Sequence, residues 1–119
     1  GECYVVEHQD MTPEEVQQKV KRVTRVMAEL GADLIKCFLT VNFQEVVDNL
    51  PVPAFTIGAD KLNSDLDVLK KAADSINQGA RGIIFGRNIF MSDQPKAIIA
   101  ALNKVINDGL SPEDAVETL

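Results

Sequence analysis

Residues Leu30–Lys36 read LGADLIK, and residues Gln78–Ile84 read QGARGII. In each, a helical pattern runs into a Gly-Ala pair and an apolar run follows. Glycine supplies the left-handed backbone that ends a helix. Leu34, Ile35, Ile83 and Ile84 suit a parallel strand covered by helices. A helix end, a tight turn and a buried strand, met twice in one chain, predict strands alternating with helices in a parallel sheet joined by right-handed crossovers.

The pattern extends in both directions. Upstream, Thr12 caps a helix, Pro13 suits its first position, and Glu15 completes a capping box. Val16, Val20, Val23, Met27 and Leu30 follow at spacings of three and four, and Gly31 is the stop. Before that helix, CYVVEH (Cys3–His8) predicts a strand. Downstream, NFQEVVDNL gives one or two helical turns, and Pro51-Val52-Pro53 breaks them before the strand AFTIG (Ala54–Gly58). Ser64 caps the helix DLDVLKKAADSINQ, which stops at Gly79, and ARGIIFG (Ala80–Gly86) is the fourth strand. After a short helical turn at RNIFMSD, Ser92 or Asp93 is the expected cap for the helix that Pro95 opens and Gly109 closes. Ser111 and Pro112 start a last helix.

Four consecutive βα units result. A whole (βα)8 barrel takes about 250 residues, so a chain of 119 is half of one. A doubly wound open sheet should carry a glycine-rich loop after its first strand, and EHQDMTPEE has none. The predicted fold is therefore α/β, residues 1–119 forming one half of a (β/α)8 barrel. Such a half leaves two open parallel edges and part of a core in water. A complementary half is expected, from missing upstream sequence or from another chain, and with it a homo-oligomer.

Composition narrows the partners. A net charge of −6 gives no field that attracts a polyanion, and no nucleic-acid motif is present. No run approaches the roughly 18 apolar residues of a membrane span. Without a signal peptide or basic targeting arm, the cytoplasm is the expected compartment. Gly1 in place of Met is consistent with a larger parent chain. Cys3 and Cys37 lack redox spacing, so no disulfide framework is expected. The single histidine, His8, cannot supply a histidine-rich metal site.

Lys36 is the most informative residue. Period-two alternation puts Leu34, Lys36 and Phe38 on one face of its strand, with Ile35 and Cys37 on the other. Either face should be buried, where an ammonium is costly unless paired or neutral. Desolvation lowers a lysine pKa, and a neutral amine attacks carbonyls to form a Schiff base. The plain alternative is a strand-end lysine paired with a carboxylate or reaching solvent. Gly58-Ala59-Asp60-Lys61 and Gly86-Arg87-Asn88 follow the last two strands, where barrel enzymes commonly bind phosphate. Glycine admits an oxyanion to backbone N–H groups, a helix start near Asn88 adds its positive end, and Arg87 adds charge-assisted hydrogen bonds. The plain alternative is that both glycines only relieve crowding and Arg87 is a surface residue.

His8 and Tyr4 are candidates for proton transfer at the same mouth. Asp33 belongs to the opposite, structural end. Asp60 and Lys61 read as solvated turn residues, Phe85, Phe90 and Met91 as packing, and Cys37 as an inert buried thiol.

At GADLIKCFL, PVPAFTIGADKL and GARGIIFGRNIFMSDQPKAIIAAL, the sequence resembles the class I fructose-bisphosphate aldolase family of archaeal and bacterial type. The resemblance runs from about Val23 to the C-terminus and covers the C-terminal half of a family member. It implies that the four units are strands 5–8 of the barrel. It puts the Schiff-base lysine at Lys36 on the sixth strand and the phosphate-binding residues at Gly58, Ala59, Gly86 and Arg87. The family usually has two glycines after the seventh strand, and Ala59 replaces the second, which alters that loop. Tyr4 is the loose counterpart of the family's tyrosine near the fifth strand, and the family's first-strand acid lies outside this sequence. The implied reaction is C–C cleavage or formation on a small phosphorylated ketone through an iminium, with no bound cofactor and no metal. In thiolase-like members the acyl group passes to coenzyme A as co-substrate. Two other readings stay open: a phosphate-binding barrel enzyme of another class, such as an isomerase, and a barrel fragment without independent catalysis.

Overall fold

A computed structural model describes residues 1–119. Four short strands, β1 (Glu2–Cys3), β2 (Ile35–Cys37), β3 (Ala54–Ile57) and β4 (Gly82–Ile84), form one parallel sheet in sequence order. The intervening helices are α1 (Pro13–Glu29), α2 (Phe43–Asp48), α3 (Asp65–Asn77) and the single turn α4 (Arg87–Phe90). Helices α5 (Pro95–Asp108) and α6 (Pro112–Val116) complete the chain.

Local signals set most boundaries. Thr12 accepts from the Glu15 N–H while the Glu15 side chain accepts from the Thr12 N–H, the reciprocal pair that satisfies two orphan donors. Ser64 and Ser111 cap α3 and α6 by accepting the N–H groups of Asp67 and Asp114, and each hydroxyl donates to that aspartate's carboxylate. Gly31, Gly79 and Gly109 adopt φ of 102°, 99° and 71°, so each predicted stop is a left-handed residue.

Several boundaries differ from expectation: β3 and β4 are shorter than Ala54–Gly58 and Ala80–Gly86, and two differences are larger. The first strand is not Cys3–His8. It ends at Cys3, and the His8 N–H bonds to the Val5 carbonyl to start a 3-10 turn at His8–Asp10. Val5 is buried in the core while Val6 is 76% exposed, so packing of one valine overrides the strand preference of both. Neither Ser92 nor Asp93 caps α5. Gln94 occupies that position without a side-chain bond, and the Ser92 hydroxyl accepts the Gln94 N–H instead. Pro95 at the first turn removes one of the orphan N–H groups of that helix start.

The register defines the two faces of the sheet. Glu2, Lys36, Phe55 and Gly82 lie in one row across the four strands, and Cys3, Cys37, Thr56 and Ile83 lie in the next. The second row faces the helices. Ile35 and Cys37 are fully buried with Val20, Phe43 and Val46 from α1 and α2. A second core joins Val68, Leu69 and Ala72 of α3 to Ile98, Leu102, Val105 and Ala115 of α5 and α6. Each fully buried aliphatic contributes about 1.5–3 kcal/mol relative to exposure. Polar groups inside this layer are paired. The Thr56 hydroxyl donates to Ser75 Oγ at 2.7 Å, and Gln17 ties α1 to Thr40 and the Asn42 carbonyl.

The face that carries the first row is only partly covered, although Gly82 within it is buried. Leu34 is 44% and Ile84 is 40% exposed. The expectation that both faces of β2 are buried therefore fails for Lys36, which is partly exposed. This one-sided sheet with two open edges is consistent with part of a barrel.

Candidate active site

The carboxyl ends of the strands converge on a hollow of about 230 Å³. It is lined by Glu2, Tyr4, Lys36, Ile57, Gly58, Ala59, Ile84, Gly86 and Arg87. Every residue singled out for chemistry on β2 and on the two following turns is thus in one place.

Lys36 is the middle residue of β2, and its register partner on β1 is Glu2. The Lys36 Nζ lies 2.9 Å from Glu2 Oε1, with the lysine side chain 31% exposed. Glu2 is a site residue that sequence reading missed. Its only signal is register, since a two-residue slip of the first strand decides whether it meets Lys36. Tyr4 stands on the rim, 45% exposed. Its ring lies 5.0 Å from Phe38, and Phe38 lies 5.1 Å from His8. His8 itself does not line the hollow. Its Nδ1 donates to the Val5 carbonyl at 2.9 Å, and it faces a separate depression with Met11 and Thr40. Asp33 is exposed just before β2, away from the strand ends.

The two turns differ in build. Gly58 is buried, and a Cβ there would meet Asn88 Nδ2 at 2.9 Å and the Phe85 ring at 3.2 Å, so close approach requires glycine. Ala59 has φ of 55° and is the one non-glycine residue in the left-handed region. This is how the chain accommodates alanine at the second position of the turn: the glycine-like conformation is kept at a cost of about 1 kcal/mol. At Gly86 a Cβ would meet nothing within 4 Å, so packing within the chain does not demand glycine there. Neither the Ala59 nor the Gly86 N–H donates to another group of the chain.

Asn88, which the sequence marks only as the start of a short helix, has a side-chain role that spacing does not reveal. It is 3% exposed and joins both turns. Its Nδ2 donates to the carbonyls of Gly58 at 3.4 Å and Asp60 at 3.2 Å, and its Oδ1 accepts the Leu62 N–H at 2.7 Å. Lys71 on α3 donates to the Gly58 carbonyl at 2.9 Å. Burial pulls the Lys71 pKa below the ordinary lysine value, and Asp60 partly restores it. Asp60 and Lys61 are not merely solvated. Asp60 Oδ1 holds Arg87 Nη1 at 3.1 Å, and Lys61 donates to the Met91 carbonyl at 2.7 Å. The helix beginning at Arg87 is only four residues long, so its dipole adds little to the turn. Phe90 is 84% and Met91 is 54% exposed, so neither packs in the core as expected. Cys37 is buried and its thiol is pushed up to about 12, by desolvation first and by Cys3 second, as an inert thiol should be. No group of three His, Cys, Asp or Glu side chains is placed to hold a metal ion, and no helix is long and apolar enough to cross a membrane.

This arrangement has counterparts. Residues 3–92 match the DeoC/LacD family of aldolases, so the match begins well upstream of Val23. The chain is 35% identical over 100 residues to 2-amino-3,7-dideoxy-D-threo-hept-6-ulosonate synthase 1 of Archaeoglobus fulgidus, covering 84% of this chain and 38% of that protein. It is 36% identical over 95 residues to the 3-hydroxy-5-phosphonooxypentane-2,4-dione thiolase of Klebsiella pneumoniae, covering 79% and 32%. A Schiff base-forming fructose-1,6-bisphosphate aldolase superposes with a TM-score of 0.74 at 28% identity, over 81% of this chain and 40% of that one. An archaeal fructose-1,6-bisphosphate aldolase, solved with its catalytic lysine covalently bound to the carbinolamine intermediate, gives 0.69 at 28% identity, over 80% and 38%. The chain therefore spans 32 to 40% of the length of these proteins. With three quarters of its residues inside the matched region, the chain belongs to the DeoC/LacD aldolase family.

Proposed function

We propose that this chain carries the Schiff-base lysine and the phosphate cradle of a class I aldolase or thiolase, as the equivalent of strands 5–8 of a (β/α)8 barrel. The observation that carries the reading is the convergence of Lys36, Gly58, Ala59, Gly86 and Arg87 on one hollow. The substrate class is a small phosphorylated ketone. Its phosphate is held by the free N–H groups of the two turns and by the Arg87 guanidinium.

Glu2 gives the lysine a partner for proton transfer. The Lys36 ammonium passes a proton to the Glu2 carboxylate across 2.9 Å, and the neutral amine attacks the ketone carbon. Loss of water from the carbinolamine leaves an iminium. The electron pair of the breaking C–C bond moves into that iminium and gives an enamine. Tyr4, on the rim of the same hollow, exchanges a proton with the departing or arriving oxygen. In a thiolase-type reaction, coenzyme A enters as co-substrate and takes the acyl group.

The uncovered face of the sheet favours a second reading for the 119 residues alone, in which they await a complementary half before they turn over substrate. Trapping tests the attachment step by itself. Dihydroxyacetone phosphate with borohydride should add mass to the peptide containing Lys36, and Lys36→Met should abolish the adduct. Lys36 left unmodified while another lysine is labelled would end the Schiff-base reading and favour another phosphate-binding enzyme class, such as an isomerase.

A further inference from the structure

The two cations that border the hollow are each held by a carboxylate. For Lys36 the partner follows from sheet register, because Glu2 lies directly opposite. For Arg87 it does not. Asp60 belongs to an exposed turn and has water available, yet its Oδ1 stands 3.1 Å from Arg87 Nη1. The surrounding backbone explains why. Left-handed Ala59 turns the chain just before Asp60, and the buried Asn88 amide holds the Asp60 carbonyl and the Leu62 N–H. The carboxylate is thereby presented to the first residue of α4. Arg87 lines the hollow and Asp60 does not.

We propose that Asp60 is a built-in competitor for Arg87, occupying the guanidinium until a phosphate group displaces it. This inference rests on reading the Gly58 and Gly86 turns as a phosphate cradle. The pair is more than half exposed on both sides, so breaking it costs little. A phosphate dianion brings more charge and more acceptor oxygens than one carboxylate, and the turn N–H groups add donors that Asp60 does not use. Displacement leaves the Asp60 charge near the bound anion, where like charges repel. Both effects act in one direction: Asp60 weakens phosphate binding and so speeds release.

Titration with inorganic phosphate at fixed low ionic strength, followed by NMR at the Ala59 and Gly86 amides, tests this. Asp60→Asn should lower the phosphate Kd about three- to tenfold, and that gain should vanish in an Arg87→Ala background. Asp60→Asn with unchanged or weaker binding, while Arg87→Ala still loses affinity, would remove the competitor and leave the cradle standing. If Arg87→Ala binds phosphate like the parent chain, or if no variant responds, cradle and competitor fall together.

Discussion

The two faces of the sheet are made from the same strands and could hardly differ more. On the helix side, Ile35, Cys37 and Thr56 are fully buried, and the one polar group among them hands its proton to Ser75. On the other side, residues one step along each strand carry an ion pair, a phenol and exposed aliphatics. Alternation along three or four residues thus divides labour: one set of side chains holds the chain together, and the other is available for chemistry. The price is an apolar surface in water around Leu34 and Ile84, which only a further element can cover.

Neighbouring truncations on β2 test that division most sharply. Ile35→Ala should destabilise by about 2–5 kcal/mol, whereas Leu34→Ala should cost under about 1 kcal/mol. Urea denaturation measures both. Equal losses would mean that the open face is covered in solution, by another copy or by a complementary half.

A smaller effect is expected where the two faces meet. Asn88→Ala strips a partner from the Leu62 N–H and from the Asp60 carbonyl, and should cost about 2 kcal/mol. It should also weaken phosphate binding, since both turns lose their common brace. A stability loss with phosphate binding intact would show that Asn88 serves the fold alone.

The smallest change is a gain. Ala59→Gly should stabilise by about 0.5–1 kcal/mol, because relief of the left-handed strain outweighs the extra freedom of glycine in the unfolded chain. A rise in melting temperature is the readout, and a fall would contradict the φ of 55° at that position.

How much of this was legible beforehand follows the range of the interactions. Thr12, Ser64 and Ser111 announce helix starts, and Gly31, Gly79 and Gly109 announce stops, because caps and left-handed residues act within a few positions. Parallel alternation then puts Lys36 and both turns at the same end of the sheet. The pairings Glu2–Lys36 and Asp60–Arg87, and the bracing by Asn88, were not legible. They join residues far apart in sequence, and nothing local distinguishes Asp60 from any turn aspartate. The end of the first strand is hidden from the sequence for a related reason. Val5 and Val6 both favour extended backbone, but only the tertiary core decides that one goes in and the chain turns away.

Thr56 on the helix side of β3 and Gly58 at the edge of the hollow, two residues apart, hang from a single turn of α3: Thr56 through the Ser75 hydroxyl, which in turn donates to the Lys71 carbonyl, and Gly58 through the Lys71 amine. That ties one turn of a helix to the strand end and the turn before it, the Thr56 link through short side chains and the Gly58 link through the longer stem of Lys71. A sideways displacement of α3 by a docking neighbour would drag the turn with it. Contacts on the outer surface of that helix therefore have mechanical leverage on the hollow.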